Sequence, residues 1–214
     1  MAAVPTGTLF SVATTFGSNI TVTAVTNANP AVCTATAHGL SNGDVIEVTS
    51  GWGRLNKRVF EVSGVTTNTF ELEGMDTSST SFFPAGTGTG TVREVTAWTQ
   101  LTKVMNPSTQ GGDPKTVTYK FVESDVEYSI NDGFTATSYT LEFDDDDTTA
   151  GYTAMRTLTD AQTNTVMKML MRSGAVVYLP CTLAMNDVPR LQDGQINRIS
   201  AQFAGVNRHT RYSA

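Results

Sequence analysis

The segment 35–48 (ATAHGLSNGDVIEV) narrows what this chain can fold into more than any other stretch. It reads as the end of a strand, a turn carrying Gly39 and Gly43, and a second strand of alternating character. Residues 59–65 and 69–72 continue the pattern, and with Leu40 and Val45 they compose one small β module. Residues 7–13 before it and the chain from Arg93 onward read as another fold, which the module interrupts. An inserted β module in a chain without a catalytic constellation points to a building block rather than an enzyme.

At 214 residues the chain can bury a good core as one domain or as two small ones. Only 16% of residues are charged, while Thr, Ser, Gly, Val and Asn are abundant, a usage that favours strands and turns over helices. The net charge of −6 argues against a nucleic-acid-binding surface, which needs clustered Lys and Arg to neutralise phosphates. No stretch approaches the roughly 20 apolar residues of a membrane span. Residues 1–7 carry neither a positive charge nor an apolar run, so no secretory signal is expected there. Cys33 and Cys181 are read as buried thiols in a reducing cytoplasm, with one disulfide as the alternative that sequence leaves open.

Residues 8–13 (TLFSVA) predict a short first strand, and 20–25 (ITVTAV) alternates with the period of two of a half-buried strand. Strands over 31–37 and 44–48 follow. Residues 59–65 and 69–72 form a hairpin across Thr66, Thr67 and Asn68, where Asn tolerates positive φ. Residues 82–90 (FFPAGTGTG) are a Gly/Pro-rich seam, and 86–90 within it a flexible connector. Beyond it 91–104 is strand-rich, 106–114 (NPSTQGGDP) is the most loop-like segment, and 115–122 and 138–144 alternate like strands with a polar stretch between them. Four aspartates, 144–147, precede the one convincing helix. Ala150, Ala154, Met155, Leu158 and Ala161 share a face of it, Asp147 or Thr148 can cap it, and the aspartates suit the positive end of its dipole. Residues 166–171 and 176–179 flank Ser173-Gly174 as a hairpin, and 195–203 and 206–212 close the chain in β.

The candidate chemistry is thin. His38 and His209 are the only histidines; His38 beside Gly39 reads as a turn residue bonded to backbone, and no ligand spacing for zinc is visible. The aspartate run lacks the glycine turn and distal Glu of a calcium loop. Residues 86–90 alternate Gly and Thr without the Lys and strand–helix context of a phosphate loop. Trp52 and Trp98 read as core or interface aromatics. Arg198, Arg208 and Arg211 read either as surface charge or as partners for acidic groups on a neighbouring subunit.

Outside the module, the order of elements resembles the tail tube, or major tail, proteins of long non-contractile phage tails. The residues that carry this are the first strand at 8–13, the strand TAWTQLTKV (96–104), the polar loop after it, and SYTLEFD (138–144) running into the helix with Tyr152, Met155 and Leu158. The hairpin VMKMLMRSGAVVYLP (166–180) and a closing β region complete the order. The piece AHGLSNGDVIEV (37–48) with VFEVSGVTTNTFEL (59–72) is similar to a small β module common in phage tail proteins. In shape alone it is also similar to a half-domain of ubiquitin-activating enzymes, without their nucleotide motif or catalytic cysteine context. Its place between the first strand and the rest of the core departs from simpler tube proteins, whose extra domains often sit at the C-terminus.

The resemblance implies a mainly β fold: a tail-tube β-sandwich or split barrel with one α-helix, formed by residues 1–17 and 93–214, plus an inserted small β domain, residues 18–92, on the tube exterior. It implies hexameric rings stacked into a tube whose inner strands join into a continuous barrel, so that every inner edge strand finds a partner. No catalytic residue, cofactor or metal is expected. The implied partners are further copies of the chain, other tail proteins at the tube ends (tape measure, terminator and tip), and double-stranded DNA that passes from virion to host without specific binding. The implied place is the virion tail, after assembly in the bacterial host cytoplasm. Residues 106–137 match the long loop that stabilises ring-to-ring contacts, with Asn106, Gly111, Gly112 and Asp113 as candidates, and are expected to be mobile before assembly. An acidic lumen would keep phosphate from sticking. Glu123, Asp125, Glu127 and Glu142 are its candidates, because alternation along their strands would put several on one face. The rival reading is a virion decoration or carbohydrate-binding β module, separated from a tube by whether purified protein forms six-fold rings or a glycan-binding monomer.

Overall fold

The computed structural model describes residues 6–214, so the reading of residues 1–7 falls largely on 1–5, outside the described residues. In chain order the elements are β1 (Leu9–Phe16), β2 (Ile20–Val22), β3 (Ala24–Val25), β4 (Ala31–Thr34), β5 (Val45–Ser50), β6 (Arg58–Ser63), β7 (Thr69–Leu72), β8 (Gly90–Leu101), β9 (Val104–Gln110), β10 (Pro114–Tyr119), β11 (Tyr128–Phe134), β12 (Ser138–Asp144), α1 (Ala150–Ala161), β13 (Asn164–Leu170), β14 (Val176–Arg190), β15 (Arg198–Gly205) and β16 (Thr210–Tyr212). All strands but β10 and β11 belong to one sheet, ordered β3-β4-β7-β6-β5-β8-β1-β13-β14-β15-β12-β9, with β2 beside β8 and β16 beside β14. A sheet this long cannot stay flat, because strand twist accumulates and curls it. The mainly β expectation with a single helix therefore holds among the described residues.

Two buried clusters follow from the alternation of the strands. One lies among residues 22–92 and centres on Ile46, Trp52, Phe60, Phe70 and Leu72. The other lies under the helix, where Leu141, Met155, Met167, Leu179 and Phe203 meet. A third, smaller cluster joins them: Val45 and Val59 pack with Ala13, Val95, Val166 and Tyr178. Strand β8 ties both regions into one sheet. Its first half pairs with β5 in the register Val48↔Val92 and Ile46↔Glu94. Its second half pairs with β1, Phe10 opposite Leu101. Across the β5–β8 step the fully buried Glu47 forms an ion pair with Arg93, and Arg93 also stacks over Phe16, 3.9 Å from the ring centroid.

Several boundaries differ from the sequence reading, each for a physical reason. The loop-like segment 106–114 is largely the edge strand β9, paired with β12. Pro107 is admissible there because an edge strand needs no donor on its open side, and a bulge absorbs it, with Met105 opposite Glu142 but Ser108 opposite Thr140. Asn106 takes φ +45° at that bulge. The polar stretch after residue 122 contains strand β11, paired with β10 from Tyr119↔Tyr128 to Pro114↔Phe134. Strand β14 runs on past Leu179 to Arg190. Pro180 is tolerated because its carbonyl, and hence its missing N–H, faces the gap between β16 and β15, where Val206 N–H donates to Pro180 O at 2.9 Å. In the hairpin after β6 the positive φ belongs to Gly64, not Asn68; the Asn68 side chain instead accepts from Ala37 N–H at 3.0 Å. Residues 82–90 are not a free connector: Trp52 Nε1 donates to Pro84 O at 2.8 Å, and Ser50 donates to Gly88 O at 2.9 Å.

The helix N-cap is Thr149 rather than Asp147 or Thr148, its hydroxyl accepting from Tyr152 N–H at 3.2 Å. The helix lies on β8 and β14. Its buried face centres on Gly151 and Met155, while Ala150 and Ala161 at the two ends are exposed. The aspartates ahead of it are partly spoken for. Lys103 Nζ reaches Asp144 at 3.2 Å and Asp146 at 2.6 Å. Lys103, with the hydroxyl and N–H of Thr148, holds the Asp146 carboxyl down at about 2, below its ordinary 3.8. A depressed carboxyl supplies its stabilisation above its ordinary value and loses it as pH falls through the folded one. An NMR titration should therefore find Asp146 ionised well below pH 3.8, and Lys103→Met should raise its midpoint toward 3.8. An unchanged midpoint in that variant would reject Lys103 as the cause.

Candidate assembly surface

Strands β10 and β11 form a two-stranded hairpin outside the main sheet. Such a ribbon is marginal by itself. Tyr119, Phe121 and Tyr128 hold its far end together, with ring centroids 5.4 Å to 5.8 Å apart. At its foot Thr135 N–H donates to Asp113 O at 2.9 Å and Gly112 N–H to Thr135 O at 3.2 Å. Gly111 and Gly112 take φ +77° and +82° to make that neck, where a side chain on Gly111 would meet the Ala136 carbonyl. Most of the hairpin's apolar side chains are in water: Val117, Phe121, Val126, Ile130 and Phe134 are each about half exposed, and Val122 is fully so. A second projecting end, the last residues of β14 and the turn to β15, exposes Val188, Leu191 and Ile196. Large apolar groups gathered on two projections mark a surface that another molecule covers.

The candidate residues are distributed differently from expectation. Gly111, Gly112 and Asp113 sit together at the hairpin neck, while Asn106 is on β9. The long loop expected over 106–137, with a strand at 115–122, is thus an edge strand and a hairpin, because cross-strand pairing satisfies backbone that the Gly, Pro and polar residues could not anchor by packing. Glu123, Asp125 and Glu127 do not alternate along a strand. They occupy the turn between β10 and β11 and are exposed. Glu142 stands apart on β12: Asn106 Nδ2 donates to it at 2.8 Å, and Arg190 and Arg198 lie at 3.3 Å and 3.4 Å. Its carboxyl is lowered first by Asn106 and then by Arg198 and Arg190. The alternation that nominated these four carboxylates as one face is absent. Glu142 is a neutralised member of an ion network, and that network also accounts for Arg198 within one chain.

The remaining polar residues have structural employment. His38 Nδ1 accepts from Leu40 N–H at 3.1 Å and Nε2 lies 3.3 Å from Thr69 O, as a turn residue bonded to backbone would. Cys33 and Cys181 are free and buried in different clusters, and burial pushes both thiols up to about 12. Such thiols are inert, since the reactive form is the thiolate. Trp52 is buried, and Trp98 is half-buried against Tyr178. Among the described residues no group of three or more His, Cys, Asp or Glu side chains could hold a metal ion. No helix there is long and apolar enough to cross a membrane.

The molecule is therefore a β protein with buried, inert thiols and outward-facing apolar tips. The sequence profile of the family described as phage tail tube protein, TTP, matches residues 50–214, and the chain belongs to that family. It is accordingly a structural protein of a bacteriophage tail. No curated protein sequence matches it. Among solved structures, one described as the tail of an empty GTA particle computed with helical refinement in C6 symmetry is similar. Its TM-score is 0.43 at 9% identity, covering 54% of this chain and 87% of that one.

Proposed function

We propose that the chain is the repeating subunit of a long, non-contractile tail tube, assembling into hexameric rings that stack and conduct DNA from virion to host. The observation that carries this reading is the β10–β11 hairpin, which exposes a row of apolar side chains that a monomer would have no reason to keep in water. Strand β9 supports it as well: it ends the sheet, so its outer backbone groups await a strand of a neighbouring subunit, which ring closure supplies. Residues 1–17 and 93–214 would form the wall, and 18–92 would stand on its exterior. The net charge of −6 suits a conduit through which phosphate passes without sticking. Partners at the two ends would be other tail proteins, and assembly would take place in the host cytoplasm, where buried thiols remain unpaired. Negative-stain microscopy of concentrated protein is expected to show six-fold rings and tubes. A stable monomer that binds glycans would instead establish a decoration or carbohydrate-binding module.

A further inference from the structure

One face of the sheet carries no unbalanced charge over three strand-to-strand rows. Gln110, Ser138, Ala204 and Thr182 stand opposite one another across β9, β12, β15 and β14. Ser108, Thr140, Gln202 and Ala184 form the next row in the same order. In the third row Glu142 faces Ser200 and Ser200 faces Asn186. The Glu142 carboxylate is shared among Asn106, Arg190 and Arg198. The rows hold no aromatic ring and no large aliphatic group, and their side chains are exposed or half-exposed. A solvent face ordinarily carries charge at about a quarter or more of its positions. Here the charges gather at one end and cancel. Arg190 and Arg198 stand directly opposite each other, a repulsion that Glu142 relieves, and Asp144 faces Arg198 from β12.

The curl of the sheet gives this face its direction. Strands β1 and β8 on one limb and β12 and β15 on the other meet under the helix, where Phe10 and Leu101 join Leu141, Ile199 and Phe203. Residues 18–92 pack on the outside of the first limb, with Val45 and Val59 against Val166 and Tyr178. The rows lie on the outside of the second limb, because Leu141, Leu183, Ala201 and Phe203, which alternate with them, are buried in the shared cluster. Core side chains thus stand between the rows and the 18–92 region. Strand β9, whose outer edge is unpaired, borders the rows.

We propose that these rows line the lumen of the tube, and that duplex DNA slides along them because the wall is neutral and coated with hydroxyl and amide groups rather than acidic. The proposal rests on the tube reading with residues 18–92 outside, and it moves the reason for free passage from the chain's overall charge to this one face. A cationic wall would hold phosphate, since each contact releases counterions and gains affinity. A densely acidic wall would set the copies of one ring against one another. The rows do neither. Their hydroxyl and amide groups hold water, and exchanging that water for a nucleic acid gains little. They offer no ring on which a base could stack. Glu142 is then a charge-balancing residue rather than a repeller of DNA: without it, Arg190 and Arg198 would present two forks suited to phosphate. Glu123, Asp125 and Glu127 lie on the hairpin turn and take no part.

Tubes of the full chain test position and charge separately. With Cys33 and Cys181 buried, Gln202→Cys and Thr67→Cys each add one accessible thiol for a maleimide-gold label. Gold is expected inside the tube for Gln202→Cys and on its outer surface for Thr67→Cys. Wild-type tubes should not retain a short DNA duplex in cosedimentation at about 50 mM salt, whereas Glu142→Gln tubes should retain at least tenfold more and release it by about 200 mM. Gln202→Lys should show the same gain with the ion network intact. Glu142→Gln with Arg190→Gln removes one charge of each sign and should return retention to the wild-type level. Retention by that balanced variant as strong as by Glu142→Gln would show that acid repels the duplex, and would overturn the neutral wall. Gold outside the tube or no label with Gln202→Cys, retention by wild-type tubes, or no gain in either cationic variant would overturn it as well. A wild-type chain that makes no tubes would overturn the tube reading, and the lumen wall with it.

Discussion

Replacing residues 114–134 by Asn-Gly is expected to leave a folded subunit that no longer assembles into tubes. Asp113 and Thr135 already face each other, with Thr135 N–H donating to Asp113 O at 2.9 Å and Asp113 N–H to the Thr135 hydroxyl at 3.1 Å. A two-residue turn of the type that Asn-Gly favours can close that gap. The hairpin shares no sheet with the rest of the molecule. Its removal therefore takes few buried contacts from the folded state; the chief intrachain loss is the stacking of Arg208 on Phe134, about 0.5–1 kcal/mol for an exposed pair. Circular dichroism should show a melting temperature within a few degrees of the full chain's, while electron microscopy shows tubes gone. Tubes in the shortened variant would mean that the exposed apolar row has another purpose.

Trp52→Ala is expected to cost about 3–5 kcal/mol, the range for removing a buried large aromatic side chain. Trp52 is 2% exposed and sits at the centre of the 22–92 cluster. Phe83 meets it edge-on at 5.2 Å, and Gly88 lies so close to its ring that a side chain there would collide. Its indole N–H donates to Pro84 O at 2.8 Å and to the Thr87 hydroxyl at 3.0 Å, so the substitution also unties residues 84–88. Hydrogen exchange should rise first in residues 50–60 and 82–92, with the helix and β13 protected until global unfolding. A loss below 1 kcal/mol in urea denaturation would contradict the central packing role.

What was legible in the sequence was whatever is encoded locally. Gly39 and Gly43 carry the positive φ that their turn needs, and Gly174 does the same in the β13–β14 hairpin. The helix was legible through Met155 and Leu158, though its cap fell one residue later, because Thr149 rather than the aspartates points a hydroxyl at Tyr152 N–H. The family resemblance was likewise readable from element order. Strand β11 was not, since Asn131-Asp132-Gly133 is turn vocabulary and an exposed ribbon imposes no burial pattern. The alternation argument for the lumen carboxylates lapses for a related reason: it needs a strand, and residues 120–127 are a turn. The meeting of Arg54, Arg58 and Arg208 around one groove was invisible because they come together across more than half the chain's length.

Strand β8 gives the 18–92 region and the rest of the chain a shared backbone. Its Gly90–Glu94 half is laddered to β5 and its Val95–Leu101 half to β1, and Tyr178 on β14 donates to Glu61 on β6 at 2.8 Å. The 18–92 region is consequently clamped rather than hinged. A force applied to it along β8 loads many ladder hydrogen bonds at once, in shear, instead of opening them one after another like a zip. In the proposed tube, torque on the 18–92 region would pass into the rest of the subunit, and every copy would hold that region at one fixed angle to the tube axis.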